Sequence, residues 1–100
     1  MRIITKRTVR EFYERHGDSR EALEDWCTEI RAAHWTSLNE VKSQYPSASI
    51  LGNSRVCFNI KGNVYRLVAA VFPPTQAVMI KFIGTHAEYD KIDAQTVEEH

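Results

Sequence analysis

Arg55-Val56-Cys57-Phe58-Asn59-Ile60-Lys61-Gly62-Asn63-Val64-Tyr65-Arg66-Leu67-Val68-Ala69-Ala70-Val71-Phe72 is the stretch that decides the fold. Its first six residues alternate, which puts Val56, Phe58 and Ile60 on one face of a strand. Lys61-Gly62-Asn63 is turn chemistry, because Gly and Asn tolerate positive φ. Val64 to Phe72 reads as a long strand, apolar on both faces except at Arg66. Pro73-Pro74-Thr75-Gln76 breaks it, and Ala77 to Ile83 forms a third strand interrupted only by Lys81. Gly84-Thr85 is expected to leave the sheet. Short loops join the three strands, so an antiparallel meander is the simplest topology.

Upstream of this stretch the period becomes helical. Arg2-Ile3-Ile4-Thr5 is a short strand candidate. Thr8-Val9-Arg10-Glu11 matches a capping box, in which hydroxyl and carboxylate satisfy the free N–H groups of a helix start. That helix runs to about His16, where Gly17 stops it. Asp18-Ser19-Arg20-Glu21 offers a second cap, and Ala22, Leu23, Trp26, Ile30 and Ala33 then recur at three- and four-residue steps. Ser37-Leu38-Asn39-Glu40 is a third box, opening a short helix that ends before Pro46. Thr85-His86-Ala87-Glu88 is a fourth, opening a short C-terminal helix towards Ile92. Helices first and a meander second predict an α+β fold, with the helices packed on one face of the sheet.

The 100 residues suit one domain, and 43% hydrophobic with 26% charged residues is ordinary for a globular one. No run approaches the roughly 20 apolar residues of a membrane helix. Met1 to Arg7 turns polar too soon for a secretory signal. Cys27 and Cys57 have no CxxC partner and read as small buried apolar groups in a reducing compartment. A cytoplasmic protein is expected. Net charge is zero but unevenly spread: residues 1–20, 21–50, 51–91 and 92–100 carry +3, −3, +3 and −3. A nucleic-acid surface would therefore be a local basic patch.

Arg66 and Lys81 are the informative residues, each interrupting an otherwise apolar strand. A strand arginine must reach solvent, a carboxylate such as Glu88 or Asp90, or a bound anion. If the strands pair with Arg66 and Lys81 on the face away from the helices, they make a positive patch on an apolar floor, suited to a phosphate between stacked bases. Lys81 is expected to share its face with Met79 and Ile83. His86 and Tyr89 lie three apart on a helical turn, and both are proton-transfer groups. The plainer readings are a capping His and a packing Tyr. HExxH, zinc spacing, a Walker loop and a GxSxG elbow are all missing, so metal and nucleotide-cofactor readings have no support.

Val56 to Val68 resembles the central V-F-N-I-x-G-N-x-Y-R-L stretch of the HigB toxins, and Gly84 to Lys91 resembles their closing T-H-x-E-Y-D signature. The opening Arg2-Ile3-Ile4 and Tyr45-Pro46-Ser47-Ala48 also fit, so the resemblance spans nearly the whole chain in order. It implies a RelE-like fold and the toxin of a type II toxin–antitoxin pair. Such toxins are metal-independent mRNA endonucleases acting on the ribosome, silenced by a helix-turn-helix antitoxin of HigA type through which operator DNA is contacted. It implies that Arg66 contacts the scissile phosphate, that Tyr89 falls near the family's C-terminal tyrosine, and that His86 sits where relatives place a basic or histidine residue. For cleavage by 2′-hydroxyl attack, the chemistry then assigns charge stabilisation to Arg66 with Lys81 assisting, and proton transfer to His86 and Tyr89 in an order left open. Asn59, Lys61 and Asn63 would position backbone or bases. Lys61 departs from a frequent Gly, and the strand holding Cys57 and Asn59 lacks the lysines of many relatives. Two rivals stand beside this reading: a non-catalytic RNA- or partner-binding module, and a structural domain in which Arg66 is salt-bridged. The acidic tail, Asp93 to His100, is expected either to be disordered or to fold over the basic patch.

Overall fold

The alternating stretch does become the centre of a sheet. In the computed structural model, which describes residues 1–98, the strands are β1 (Arg2–Ile4), β2 (Ser49–Ile50), β3 (Arg55–Ile60), β4 (Tyr65–Phe72) and β5 (Ala77–Thr85). The helices are α1 (Lys6–Arg15), α2 (Arg20–Ala32), α3 (Leu38–Gln44) and α4 (His86–Tyr89). The five strands lie in the order β1-β5-β4-β3-β2. β3, β4 and β5 form the expected antiparallel meander, β2 adds an antiparallel edge, and β1 runs parallel to β5 on the other side. This is an α+β fold. No helix among the described residues is long and apolar enough to cross a membrane.

The inner face of the sheet carries the core. Val56, Phe58 and Ile60 of β3, Leu67, Ala69 and Val71 of β4, and Val78 and Ile80 of β5 pack with Val9 and Phe12 of α1 and Leu23, Trp26 and Ile30 of α2. The three- and four-residue spacing read along α2 is the spacing that meets the sheet. Aromatic edges lock the layers: Trp26 and Tyr45 each stand edge-on to Phe58 with ring centroids 5.3 and 5.1 Å away.

Several local expectations give way to tertiary context. α1 begins at Lys6, because Thr5 turns to φ 68° at the end of β1; the Thr8 amide already donates to Thr5 O at 3.0 Å, so Thr8 is inside the first turn, not at its cap. Glu11 then pairs with Arg7 at 3.5 Å. Ser19 starts α2 without a side-chain cap, its hydroxyl donating back to His16 O at 2.6 Å. Ser37 also starts α3 without one, and the Glu40 carboxylate that would complete the box is taken by the amide and hydroxyl of Thr36. The fourth box does form: Thr85 accepts from the Glu88 amide at 3.1 Å and Glu88 accepts from the Thr85 amide at 2.8 Å. Gly84 and Thr85 do not leave the sheet but extend β5, paired with Arg66 and Tyr65. In the β3–β4 turn, positive φ falls on Lys61 (54°) and Gly62 (64°) and not on Asn63.

The largest departure is at Lys81. Val68 pairs with Phe82 and Ala69 with Ile80, leaving Lys81 as the extra residue of a β-bulge. The bulge shifts the two-residue period, so Ile83 turns inward beside Leu67 while Met79 stays on the outer face beside Ala70. Lys81 and Ile83 therefore do not share a face.

Candidate active site

Rows of paired residues cross the outer face of the sheet, the face away from α1 and α2. Arg55 lies beside Ala70 and Met79, Cys57 beside Val68 and Phe82, and Asn59 beside Arg66 and Gly84. Cys57, Val68 and Ala70 are buried although they stand outside the main core, because α4 and residues 93–98 cover part of this face. What remains open is the end where the Asn59–Arg66–Gly84 row meets α4.

Arg66 is half-buried at that open end. Its Nη1 donates to the carbonyls of Asn63 and Tyr65, both at 3.3 Å, which hold the guanidinium near its own turn. Neither Glu88 nor Asp90 takes it: Glu88 serves the Thr85 cap, Asp90 pairs with His86, and Arg66 makes no ion pair among the described residues. Gly84 sits opposite, and a Cβ there would come within 2.5 Å of the Phe82 ring and 3.0 Å of Glu88 Oε1. The absence of a side chain thus leaves room for both beside Arg66.

Tyr89 closes one side. Its ring lies 6.4 Å from that of Phe82, and its hydroxyl is near the Cys57 thiol. Burial, then the contact with Cys57, pushes the phenol up to about 12, while the nearby Arg66 charge pulls the other way. Burial likewise raises the Cys57 thiol, with Tyr89 and Arg66 opposing. A Tyr held this way stays protonated through neutral pH, so its hydroxyl is a hydrogen-bond donor there. His86 opens α4 with its imidazole half exposed; Nδ1 lies 3.1 Å from Asp90 Oδ2, one helical turn on. Both side chains are more than half exposed, and no hydrogen bond engages Nε2 among the described residues.

The other predicted residues divide. Asn59 is the direct cross-strand partner of Arg66 and donates from Nδ2 to Ser47 O at 3.3 Å. Asn63 is exposed in the turn, its carbonyl accepting from Arg66. Lys61 is drawn the other way: its Nζ lies 3.0 Å from Asp18 Oδ2, and Asp18 also accepts from the Tyr65 hydroxyl at 2.6 Å. Tyr65 points into the core, so this cluster ties the β3–β4 turn to the helical layer. Lys81 is not joined to Arg66 either. It meets Glu98 at 2.8 Å, beyond the Cys57 row.

Two residues here were not singled out in the sequence. Cys57 read as an apolar filler and is the contact of Tyr89. Arg55 read as a strand start. It is 4% exposed, with Nη1 donating to Ala94 O and Val97 O and Nη2 3.0 Å from Glu98 Oε1. The tail from 93 to 98 thus lies over this part of the sheet; the end of the tail read from the sequence, Glu99-His100, lies outside the described residues. A concavity of about 560 Å³ lies elsewhere, between α1 and α2, lined by Lys6, Arg10, Tyr13, Cys27 and Arg31 among others. It holds none of the residues around Arg66.

A half-buried guanidinium, a protonated phenol and a primary amide on the outer face, with an imidazole on the adjoining α4, are groups that can bind an oxyanion and move protons beside it. Residues 19–92 match the family model described as HigB_toxin, the RelE-like toxic component of a toxin-antitoxin system. The chain is also similar to the "mRNA interferase toxin HigB" of Escherichia coli (strain K12) and the "mRNA interferase HigB" of Shigella flexneri. Each is 27% identical over 92 residues, covering 90% of this chain and 88% of the relative. The matched segment contains Cys57, Asn59, Arg66, His86 and Tyr89, so the outer face just described falls within it, and the chain belongs to the HigB family of RelE-like toxins of toxin–antitoxin systems.

Proposed function

We propose that this toxin is a metal-independent mRNA endonuclease working on the ribosome, where an RNA 2′-hydroxyl attacks the adjacent phosphate. The observation that carries the reading is Arg66: a cation projecting from a core strand, on an open face, with no carboxylate partner among the described residues. The names of the curated relatives, mRNA interferases, support the same substrate.

The reaction needs three things, and the face supplies a candidate for each. Arg66 donates to the non-bridging oxygens as negative charge builds in the phosphorane. His86, paired with Asp90 through Nδ1, takes the 2′-hydroxyl proton through Nε2. Tyr89, kept protonated, gives its proton to the leaving 5′-oxygen. The oxygen–phosphorus bond that forms and the one that breaks leave a 2′,3′-cyclic phosphate and a free 5′-hydroxyl. Asn59 and Asn63 hold backbone or base edges beside the scissile phosphate, and Phe82 offers a ring for stacking. Lys61, held by Asp18, is left out of this set, and Lys81 acts on a flanking phosphate, not on the scissile one. The silencing partner is a helix-turn-helix antitoxin of HigA type, which alone contacts operator DNA, and the place of action is the cytoplasm, where mRNA is translated.

The test is induced expression with growth and mRNA 5′ ends followed together. Wild-type protein is expected to arrest growth with new cuts inside translated frames, and Arg66→Ala to give neither. Cuts in neither, at verified protein levels, would leave a non-catalytic RNA-binding module.

A further inference from the structure

The covered part of the outer face has the donors of an anion site, and the chain's own tail fills it. One carboxylate, Glu98, spans two cations, with Oε1 3.0 Å from Arg55 Nη2 and Oε2 2.8 Å from Lys81 Nζ. Two oxygens of one anion set on a guanidinium and an ammonium is also how the non-bridging oxygens of a phosphate are held. Arg55 is almost fully buried, yet its Nε is a buried donor with no partner among the described residues. The site is thus not fully satisfied by the segment that occupies it.

That segment is held by side-chain hydrogen bonds and not by a layer of its own core. Besides Arg55 and Lys81 it is held by Asn53 Nδ2 donating to Gln95 O at 3.1 Å, and by the Gln95 side chain lying over Gly52. Its internal order is a single turn, with the Thr96 and Val97 amides both donating to Asp93 O at 3.1 and 2.9 Å. Asp93, Gln95, Thr96 and Glu98 are exposed and only Ala94 and Val97 are partly buried, so the attachment is mainly polar and the segment can open locally without unfolding the core. Arg55 stands on the same sheet face as Arg66 and four residues from that arginine's partner Asn59, roughly 13 Å along β3 at strand rise. A short oligonucleotide seated at Arg66 reaches it.

We propose that residues 93–98 form a latch that seats the Glu98 carboxylate between Arg55 and Lys81 in the position of a second RNA phosphate, so that the RNA strand and the latch compete for the same two cations. The inference rests on RNA being the ligand of the Arg66 face, and it adds a subsite and its gate. With the latch shut, Lys81 is withheld from RNA. With RNA bound along the sheet, the tail is released. Apparent affinity is then the open-state affinity scaled by the fraction of molecules with the latch open.

The experiment uses the full chain and a 2′-O-methyl oligonucleotide, which binds but has no 2′-hydroxyl to attack. Glu98→Gln is expected to tighten its binding about two- to five-fold, the range an exposed ion pair commands. It is also expected to steepen the salt dependence by about 0.7 in log–log slope, one more phosphate contact on a single strand. Adding Lys81→Ala to Glu98→Gln should erase the gain. In the wild type, saturating oligonucleotide should speed hydrogen exchange at the Thr96 and Val97 amides. Unchanged affinity on Glu98→Gln, a gain that survives Lys81→Ala, tail amides that stay protected with RNA bound, or no binding by any variant would each overturn the latch. The catalytic reading fails separately: binding with tail release but no cuts in induced cells removes the chemistry and keeps the latch. Arg66-dependent cuts with no effect of Glu98→Gln do the reverse.

Discussion

Arg55 and Arg66 are the same residue type, on the same face, on neighbouring strands, and they have opposite situations. Arg55 is sealed in, its guanidinium spent on the carbonyls of Ala94 and Val97 and on Glu98. Arg66 is half-buried and holds two long hydrogen bonds to carbonyls of its own turn. Strand context makes either one costly to bury unpaired, so each must reach solvent, a carboxylate or an anion. What separates them is whether a distant segment of the chain arrives with a carboxylate. For Arg55 the partners lie 39 to 43 residues away in sequence. For Arg66 the nearby carboxylates of Glu88 and Asp90 are both engaged elsewhere, with the Thr85 cap and with His86. An arginine whose carboxylates have been diverted is available to an external anion.

The sharpest way to break this comparison is to exchange the expected losses. Arg66→Ala should lower the rate of RNA cutting by about 10²–10³, while its thermal stability stays within about 0.5 kcal/mol of the wild type. If Arg66→Ala unfolds the protein, the arginine is structural and the contrast with Arg55 collapses. Tyr89→Phe is expected to cost about 10² in single-turnover rate, the low end for a lost proton donor, with RNA affinity held. A fall in affinity without a fall in rate would make the phenol a binding group. Arg55→Ala should show the opposite profile, losing about 1–3 kcal/mol in chemical denaturation because its carbonyl partners lose their donor, with cutting at the Arg66 end retained.

Two pH effects sharpen the same contrast more gently. The Tyr89 phenol has its folded pKa raised, to about 12, so the stability it contributes is full below the ordinary phenol range and is lost as pH rises towards that value. The ultraviolet titration of wild type minus Tyr89→Phe should show this late ionisation, and an ordinary phenol curve would contradict the buried contact with Cys57. Glu98 has its folded pKa lowered, first by the Lys81 hydrogen bond and also by Arg55, so the latch is fully held above the ordinary carboxylate value and is lost as pH falls through the depressed one. Tail resonances should therefore move on acidification before the core unfolds. A tail that persists to global unfolding would show that the carbonyl bonds to Arg55, not Glu98, hold it.

Much of this was legible in the residues. The alternation of Val56, Phe58 and Ile60 and the helical spacing of Leu23, Trp26 and Ile30 fixed the inner face, because burial selects those periods strongly. The two-residue strand β2 and the parallel β1 have too few residues for any period to register. The bulge at Lys81 could not be seen, since an extra residue leaves composition untouched while inverting the face of everything after it. A matching four-residue pattern does not by itself make a cap: Thr8 falls inside a helix that has already begun at Lys6, and the Glu40 carboxylate is taken by Thr36. At the candidate site, Arg66 stands out as an exception to an apolar strand, while His86 and Tyr89 are marked only by their three-residue spacing and by the family resemblance. Cys57 has no such mark, since its meaning depends on a contact 32 positions away. Arg55 left one signal, a −3 tail following a +3 segment, which gives the attraction but not the residues that meet.

The most direct test of the central claim is single-turnover cleavage of ribosome-bound mRNA by wild type, Arg66→Ala and Arg66→Lys, all shown to be folded. The account predicts a fall of about 10²–10³ for Arg66→Ala and partial recovery for Arg66→Lys, which restores charge but not the two-pronged donor. Equal rates for all three would contradict it, and would mean that the open arginine is not where the phosphate sits.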